Sequence, residues 1–362
     1  MRFGLLSGGG PRAEGFAAAL EARGHPSLRH VTYQQFIQNQ AEFKDLLSAV
    51  DILRIDSPGG GYDIWKCFAD YLGISTSPYD NRHGLIYPQT PLERGTYECI
   101  KAAYDLAAAQ GVKCTVDPQA VQRFMDKSAT HKLSTPTIPT PEALPDIRNW
   151  EELQSAMLER GLTRVFMKLR YGSAASGVLA IEVLGQKLRL WTSVERVEEG
   201  SRTHLFNSLK IRKYLDDAAK CLIDDVSAMG VHVEAWVPKL RVGGKPSDLR
   251  LVVVGGAPAH SVVRRSDTPL TNLHLSNERL STEEVRKQLP PEAWDEVLNI
   301  GVKVGQLFPK QLCIGVDIAI HKDTLKPYLL EVNAFGDYLN NTYHDGLSPY
   351  EFQIQHLEKQ FA

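Results

Sequence analysis

The chain has 362 residues, with 41 Lys+Arg against 43 Asp+Glu and a formal net charge of -2 with His neutral. Hydrophobic residues make up 43% and charged residues 23%, an ordinary globular composition that excludes collagen-like, coiled-coil and disordered classes. The near-neutral charge removes the electrostatic case for bulk nucleic-acid binding, and no window approaches the ~18 uninterrupted apolar residues of a membrane span.

At roughly 100–200 residues per domain, two or three domains are expected, with cores large enough to need no disulfides. The five cysteines (Cys67, Cys99, Cys114, Cys221 and Cys313) are scattered, odd in number and form no CxxC pair. Neither a zinc site nor a disulfide framework is indicated. The apolar run Phe3-Gly4-Leu5-Leu6 is too short for a signal-peptide core. A soluble cytoplasmic protein with reduced thiols is expected.

Phe3 to Leu6 predicts a strand, Gly8 to Pro11 a turn, and Arg12 to Arg23 a helix with Phe16, Ala19 and Leu20 on one face. His30 to Tyr33 predicts a second strand, Phe36 to Val50 a second helix, and Asp51 to Asp56 a third strand closed by Ser57-Pro58-Gly59-Gly60-Gly61. Such alternation implies a mostly parallel sheet covered by helices. Neither Gly-rich turn contains GxGxxG or a Walker Lys-Ser/Thr. Each reads as a tight turn. The alternative is a small-molecule contact, because open α/β sheets bind ligands at that edge.

Ser134 to Pro141 holds three prolines in eight residues and predicts an extended connector, since proline breaks a helix interior. A helix (Trp150 to Arg160), a strand (Arg164 to Leu169), the loop Tyr171 to Gly177 and a strand (Val178 to Ile181) follow. The remainder predicts antiparallel strands with helices: Val231 to Val237, Leu249 to Gly255, His260 to Arg265, Gly315 to Ile320 and Tyr328 to Val332. No internal repeat is present.

Lys168 closes a strand ahead of a loop of small residues. An ammonium followed by backbone N–H groups free to fold over phosphate oxygens suits a triphosphate; the plainer reading is a hairpin turn. Gly315-Val316-Asp317 and Glu331-Val332-Asn333 end two apolar strands with two carboxylates and an amide. Strand alternation puts Glu331 and Asn333 on one face. Oxygen ligands of this kind suit magnesium, which takes few protein ligands beside phosphate; a polar hairpin rim is the alternative. His232-Val233-Glu234-Ala235-Trp236-Val237 lines an adenine slot or is a buried strand. Asp248-Leu249-Arg250 starts a strand, and Arg264-Arg265 precedes Asn272-Leu273-His274. Adjacent strand residues face opposite ways, so at most one of Arg264 and Arg265 enters a site. Met125-Asp126-Lys127 precedes the connector and in isolation is a solvated helix face.

Each element is bland alone, but the series from Lys127 to Asn333 resembles the ATP-grasp superfamily. Asp248-Leu249-Arg250, Arg264-Arg265 and Asn272-Leu273-His274 look most like RimK-type carboxylate–amine ligases. The resemblance implies an α/β N-terminal domain (the pre-ATP-grasp domain, with a Rossmann-like parallel sheet) over 1–118. It implies an α+β ATP-grasp fold of two lobes behind it: a central lobe with the Gly/Ser loop over 119–230, and a C-terminal lobe with the metal site over 231–362. It implies Lys127 and Lys168 as phosphate contacts, and Ser173, Ser176 and Gly177 in a closing loop. Glu234, Trp236 and Val237 would meet adenine through the backbone of the last two, with Asp248 also in the nucleotide set. Asp317, Glu331 and Asn333 would hold magnesium. Arg250 and one of Arg264 and Arg265 would join Lys168 at the reacting phosphate.

The implied activity joins a carboxylate to an amine through an acyl phosphate, releasing ADP, on a small metabolite, amino acid or peptide. No nucleic acid or membrane partner is implied, and a homo-oligomer is a family expectation. Phosphorylation of a hydroxyl, or ATP binding without catalysis, are the alternatives on the same platform. The chain departs from many relatives at Cys313-Ile314-Gly315, where some carry arginine, and at Ala334-Phe335-Gly336-Asp337-Tyr338, where many have a Ser-Pro-Gly turn. Asp337, Tyr338, Asn340 and Asn341 there are substrate contacts or a polar loop.

Overall fold

A computed structural model describes residues 1–361 apart from Ala174, Ser276 and Tyr338, and apart from the side chain of His274. The N-terminal unit is a parallel sheet. Strands β1 (Phe3–Ser7), β2 (Arg29–Thr32), β3 (Ile52–Ile55) and β4 (Lys113–Cys114) lie in the order β2-β1-β3-β4. Helices α1 (Pro11–Ala22), α2 (Tyr33–Gln38), α3 (Gln40–Ser48), α4 (Tyr62–Tyr71) and α5 (Gln89–Ala109) connect them. β1 and β3 are buried throughout, as strands covered on both faces are. The two Gly-rich turns meet at the carboxyl ends of β1 and β3, where Gly8 N donates to Ser57 O at 2.9 Å. A Cβ on residue 8 would lie 2.1 Å from Pro58 O, so only glycine permits that approach.

The single helix expected over 36–50 is two. Thr32 and Gln35 form a capping box that starts α2 at Tyr33. Asn39 then leaves helical geometry, and its side chain accepts from Glu42 N to start α3. Asparagine competes with helical bonds and favours caps. The Asp126-Lys127 step is likewise a cap and not a solvated face. Asp126 divides α6 (Pro118–Met125) from α7 (Lys127–Ser134), accepts from Ala129 N at 3.0 Å and pairs with Arg170 at 2.7 Å. Ser134 closes α7, so the connector begins one residue later than expected. Pro139 O accepts from Leu329 N at 2.8 Å.

The middle unit contains α8 (Trp150–Glu159), β5 (Arg164–Leu169), β6 (Leu179–Leu184), β7 (Lys187–Glu199), β8 (Arg202–Leu215), α9 (Asp216–Ser227) and β9 (Val231–Ala235). Its antiparallel sheet runs β8-β7-β6-β5-β9. A division between residues 230 and 231 therefore falls one strand early for this sheet, because Val231–Ala235 is hydrogen-bonded to β5.

The last unit contains β10 (Arg241–Val242), β11 (Lys245–Val254), β12 (Ala257–Arg265), β13 (Glu278–Leu280), α10 (Glu283–Arg286), α11 (Pro291–Leu307), β14 (Cys313–Ile320), β15 (Pro327–Asn333) and α12 (Pro349–Phe361). Its sheet runs β13-β12-β11-β14-β15, with β10 beside β11. One apolar core runs continuously from Leu6, Phe36 and Ile100 to Val263, Ile300 and Ile318. The middle unit has a separate core around Leu153, Met167, Ile181 and Ile223. Among the described residues no helix is long and apolar enough to cross a membrane.

Helices α4 and α5 touch where Gly95 meets Phe68. A Cβ on residue 95 would lie 2.4 Å from Phe68 Cβ and Cγ. Alanine gains about 1 kcal/mol of helix propensity over glycine, and overpacking costs about 1–3 kcal/mol. Gly95→Ala is expected to lower urea-unfolding stability by about 1 kcal/mol; unchanged or higher stability would contradict this packing.

Candidate active site

The register of the C-terminal sheet sets a row of charged residues. Arg250 on β11 lies opposite Asp317 on β14, and Asp317 opposite Glu331 on β15. Directly opposed residues share a face, and so do residues two apart on one strand. Asp248 therefore joins Arg250, Asn333 joins Glu331, and Arg264 joins from β12, opposite Asp248. Arg265 opposes Ser247 on the other face and pairs there with Glu278. Of the two arginines, Arg264 is the one that faces the row. Gly315 opposes Asn333, and a Cβ there would crowd Asn333 Cβ at 3.3 Å.

The row is tied together by ion pairs. Arg250 donates to Asp317 through Nε and, at 3.0 Å, through Nη2. Arg264 gives Nη1 to Asp317 at 3.2 Å and Nε to Asp248 at 2.7 Å. Lys239 Nζ donates to Asp248 at 3.0 Å and to Thr271 Oγ1 at 2.6 Å. Burial alone would raise the pKa of Asp248, but Arg264 and Lys239 hold it well below the usual carboxylate range. For Lys239 burial outweighs Asp248, and its pKa falls.

The middle sheet supplies the opposite wall. Lys168 on β5 lies opposite His232, and Phe166 opposite Glu234. Lys168 pairs with Glu234 and donates across the cavity to Leu330 O at 3.2 Å. Burial works against the ammonium, yet Glu234 and Glu331 outweigh it and raise its pKa. Burial would also raise Glu234, but Lys168 and His232 bring it down to about 2. Lys127, at the start of α7, pairs with Glu331 at 3.0 Å and donates to Gly172 O. Burial raises Glu331, and Lys127 and Lys168 lower it further than burial lifts it.

These walls enclose a cavity of about 670 Å³, within the size range of small-molecule sites. Lys127, Lys168, Ser173, Ser176, Glu234, Val237, Asp248, Arg250, Arg264, Asp317, Glu331 and Asn333 all line it. Arg265, Trp236 and Gly177 do not. Trp236 N donates to Arg164 O at 3.2 Å, and its ring packs on Phe166 at 4.9 Å; Ala235 lines the cavity beside Val237 instead. Gly177, at φ 66°, makes the turn, where a Cβ would meet Leu169 Cγ at 2.3 Å. Ala174 of the loop, Tyr338 and the side chain of His274 lie outside the described residues. Asp337 lines the cavity, while Asn340 and Asn341 do not.

Two cationic lining residues are absent from the sequence reading. Lys239 follows the Glu234 strand by one turn of chain, and its only signal is that proximity. Arg12 follows the first Gly-rich turn and reaches the cavity with Pro11 and Ser57 to Gly60, so the alternative reading of both turns pointed to it. Its Nε donates to buried Asp56 at 2.8 Å, and Nη2 donates to Phe335 O.

Among the described residues, no three of His, Cys, Asp and Glu gather into a metal site. Asp317, Glu331 and Asn333 give two carboxylates and one amide. That sparse oxygen set fits magnesium when phosphate oxygens complete the shell. The Asn333 Nδ2 is buried without a hydrogen-bond partner, so the amide has spare bonding capacity.

No family model matches the chain, and no curated protein matches its sequence. Solved structures match along the whole chain. D-cycloserine synthetase DcsG matches at 12% identity, covering 100% of both chains, with a TM-score of 0.58. The ATP-grasp ligase PsnB, complexed with a phosphomimetic variant of minimal precursor, Mg and ADP, matches at 15% identity over 99% of this chain and 98% of that one, with a TM-score of 0.56. D-alanine–D-alanine ligase from Bacillus anthracis, complexed with ATP, matches at 13% identity over 99% and 92%, with a TM-score of 0.52. The fold is therefore the ATP-grasp fold: a parallel α/β unit followed by two antiparallel lobes.

The Lys168–Glu234 pair makes a pH prediction. The depressed Glu234 pKa contributes stability that is present above the unfolded value near 4.5 and lost as pH falls through about 2. Glu234→Gln leaves the buried ammonium short of charge, a loss of about 3 kcal/mol at neutral pH. The gap between variant and wild type narrows below pH 4.5. Urea unfolding across pH checks this; a gap independent of pH would contradict it.

Proposed function

We propose that the chain is an ATP- and magnesium-dependent carboxylate–amine ligase acting on a small metabolite, amino acid or peptide. One observation carries the reading: in an ATP-grasp fold, Asp317, Glu331 and Asn333 share a face with Arg250 and Arg264, across the cavity from Lys168. The RimK-like grouping of Asp248, Arg250 and Arg264 supports the carboxylate–amine form of the reaction. A cytoplasmic, homo-oligomeric enzyme belongs to the same proposal.

Adenine sits among Phe166, Val178, Val237 and Leu330, apolar residues that line the cavity. Lys127 and Lys168 hold the phosphates, and the segment around Ser173 and Ser176 folds over them. Asp317, Glu331 and Asn333 hold magnesium, which supplies positive charge against the phosphate oxygens when bound. A substrate carboxylate must approach an anionic γ-phosphoryl group. Arg250 and Arg264 offset that repulsion and stabilise the charge that spreads in the transition state. The carboxylate oxygen bonds to phosphorus, ADP leaves, and the acyl phosphate forms. The amine then attacks the acyl carbon, phosphate leaves, and one amide results. The closed loop keeps water from the acyl phosphate.

The test is ADP release with magnesium, ATP and pooled carboxylic acids, with and without pooled amines. Turnover requiring both pools is the expected result; turnover with hydroxyl compounds alone would replace this reading with a kinase. Lys168→Ala and Glu331→Ala are each expected to lose on the order of 10²–10³-fold in turnover with the fold retained. Undiminished rates in both would overturn the assignment.

Arg250 and Arg264 are occupied by Asp317, the carboxylate assigned to the metal. Neutralising that carboxylate frees both guanidiniums for phosphate. Asp317→Asn is therefore expected to bind ADP more tightly than wild type without magnesium, by about tenfold for one charged hydrogen bond released. With magnesium it is expected to bind more weakly. Titration calorimetry reads both; weaker binding in both conditions would contradict the exchange of partners.

A further inference from the structure

Five carboxylates line the cavity among the described residues. Glu234 is held by Lys168 and His232, and Asp248 by Arg264, Lys239 and Thr271. Asp317 and Glu331 belong to the metal set of the proposed function. Asp337 is left. It lies on the turn after β15, where the chain departs from the Ser-Pro-Gly of many ligases, and its side chain is 31% exposed. Oδ2 accepts from Arg250 Nη1 at 2.9 Å. Oδ1 has no hydrogen-bond partner among the described residues.

Position and charge together define what that oxygen takes. Arg250 bonds Asp317 with Nε and Nη2 and Asp337 with Nη1, so Asp337 is one guanidinium away from the phosphate end. Arg12 pins the same turn to the N-terminal unit through Phe335 O. The turn therefore lies beside the N-terminal unit, whose Ser57 to Gly60 also line the cavity. The carboxylate is partly solvated and already meets Arg250 through Oδ2, so what is open is Oδ1, an acceptor that repels an anionic substrate group and takes a hydrogen-bond donor. An N–H donor that carries its own positive charge satisfies both demands.

We propose that Asp337 is the specificity residue for the second substrate: its Oδ1 receives the ammonium of a primary amine beside the carboxylate activated at Arg250, and takes the proton that must leave nitrogen before its lone pair can attack the acyl carbon. The assignment rests on the ligase reading for the amine's fate, and on the cavity alone for its binding. It makes the substrate class a primary amine that arrives charged at neutral pH.

The experiment is ligand-observed saturation-transfer NMR of pooled primary amines (amino acids, amino-acid amides and alkylamines) on protein loaded with Mg²⁺ and AMPPNP. At least one amine is expected to bind wild type and to bind Asp337→Asn about tenfold or more weakly, the loss for one charged hydrogen bond. Asp337→Glu, which keeps the charge, is expected to regain part of that affinity. No amine binding to wild type, or equal binding to Asp337→Asn with its melting temperature unchanged, overturns the proposal. Amine binding that depends on Asp337 without ADP release from any acid pool would sink the ligase reading and leave this assignment standing. Amine-requiring ADP release that ignores Asp337 does the reverse.

Discussion

Among the described residues, six cations and five carboxylates line one cavity, Arg12, Lys127, Glu331 and Asp337 among them. Buried charge on this scale persists only when every member finds a partner, because desolvating an unpaired ion costs several kcal/mol. The chain meets that condition by register. Arg264, Asp248, Arg250, Asp317 and Glu331 come from four neighbouring strands, and the pairing of those strands places acid against base at almost every step. A slip of one residue in any strand would send its charges to the apolar face.

The same ion pairs connect the two lobes. The middle unit has a core of its own, separate from the core shared by the first and last units. Lys168 spans the gap to Leu330 O, and Lys127 spans it to Glu331. In the proposed function, a polyphosphate bound between these sheets would exchange protein carboxylates for phosphate oxygens as partners of the lysines. Ligand binding and the fit between lobes thereby draw on the same charges. Asp337 extends this logic to the part of the lining near the N-terminal unit, which contributes Arg12 and the second Gly-rich turn.

The legible parts of the sequence are those with short-range rules. Strand alternation separates Arg264 from Arg265 into opposite faces, and only the cross-strand partner decides that Arg264 enters. Glu331 and Asn333 stand at the end of an apolar run, as the pattern indicates, whereas Asp317 lies inside β14, buried among Val316 and Ile318, and not at a strand end as expected. Trp236 is not: its side of the β9 extension depends on Arg164 O taking its N–H. Gly177, which the resemblance places in a closing loop, does not line the cavity but makes the turn behind it, because its φ of 66° and the proximity of Leu169 demand glycine. The long β7–β8 hairpin is invisible in the sequence reading. Lys187 to Thr192 alternates buried and outward residues, but beyond it β7 and most of β8 carry charged residues at half-exposed positions, so the period is lost over most of the hairpin. Lys239 enters the site through tertiary approach, which no local pattern encodes; Arg12 enters beside the first Gly-rich turn, whose alternative reading as a ligand contact was its one local signal.

The most direct measurement is a crystal structure of the protein with AMPPNP and Mg²⁺. The account predicts the nucleotide between the middle and C-terminal sheets. Asp317 and Glu331 lie on the metal, and Arg250, Arg264, Lys127 and Lys168 have turned to phosphate oxygens. A nucleotide bound elsewhere, or one bound here with the Arg250–Asp317 and Lys127–Glu331 pairs intact, would contradict it.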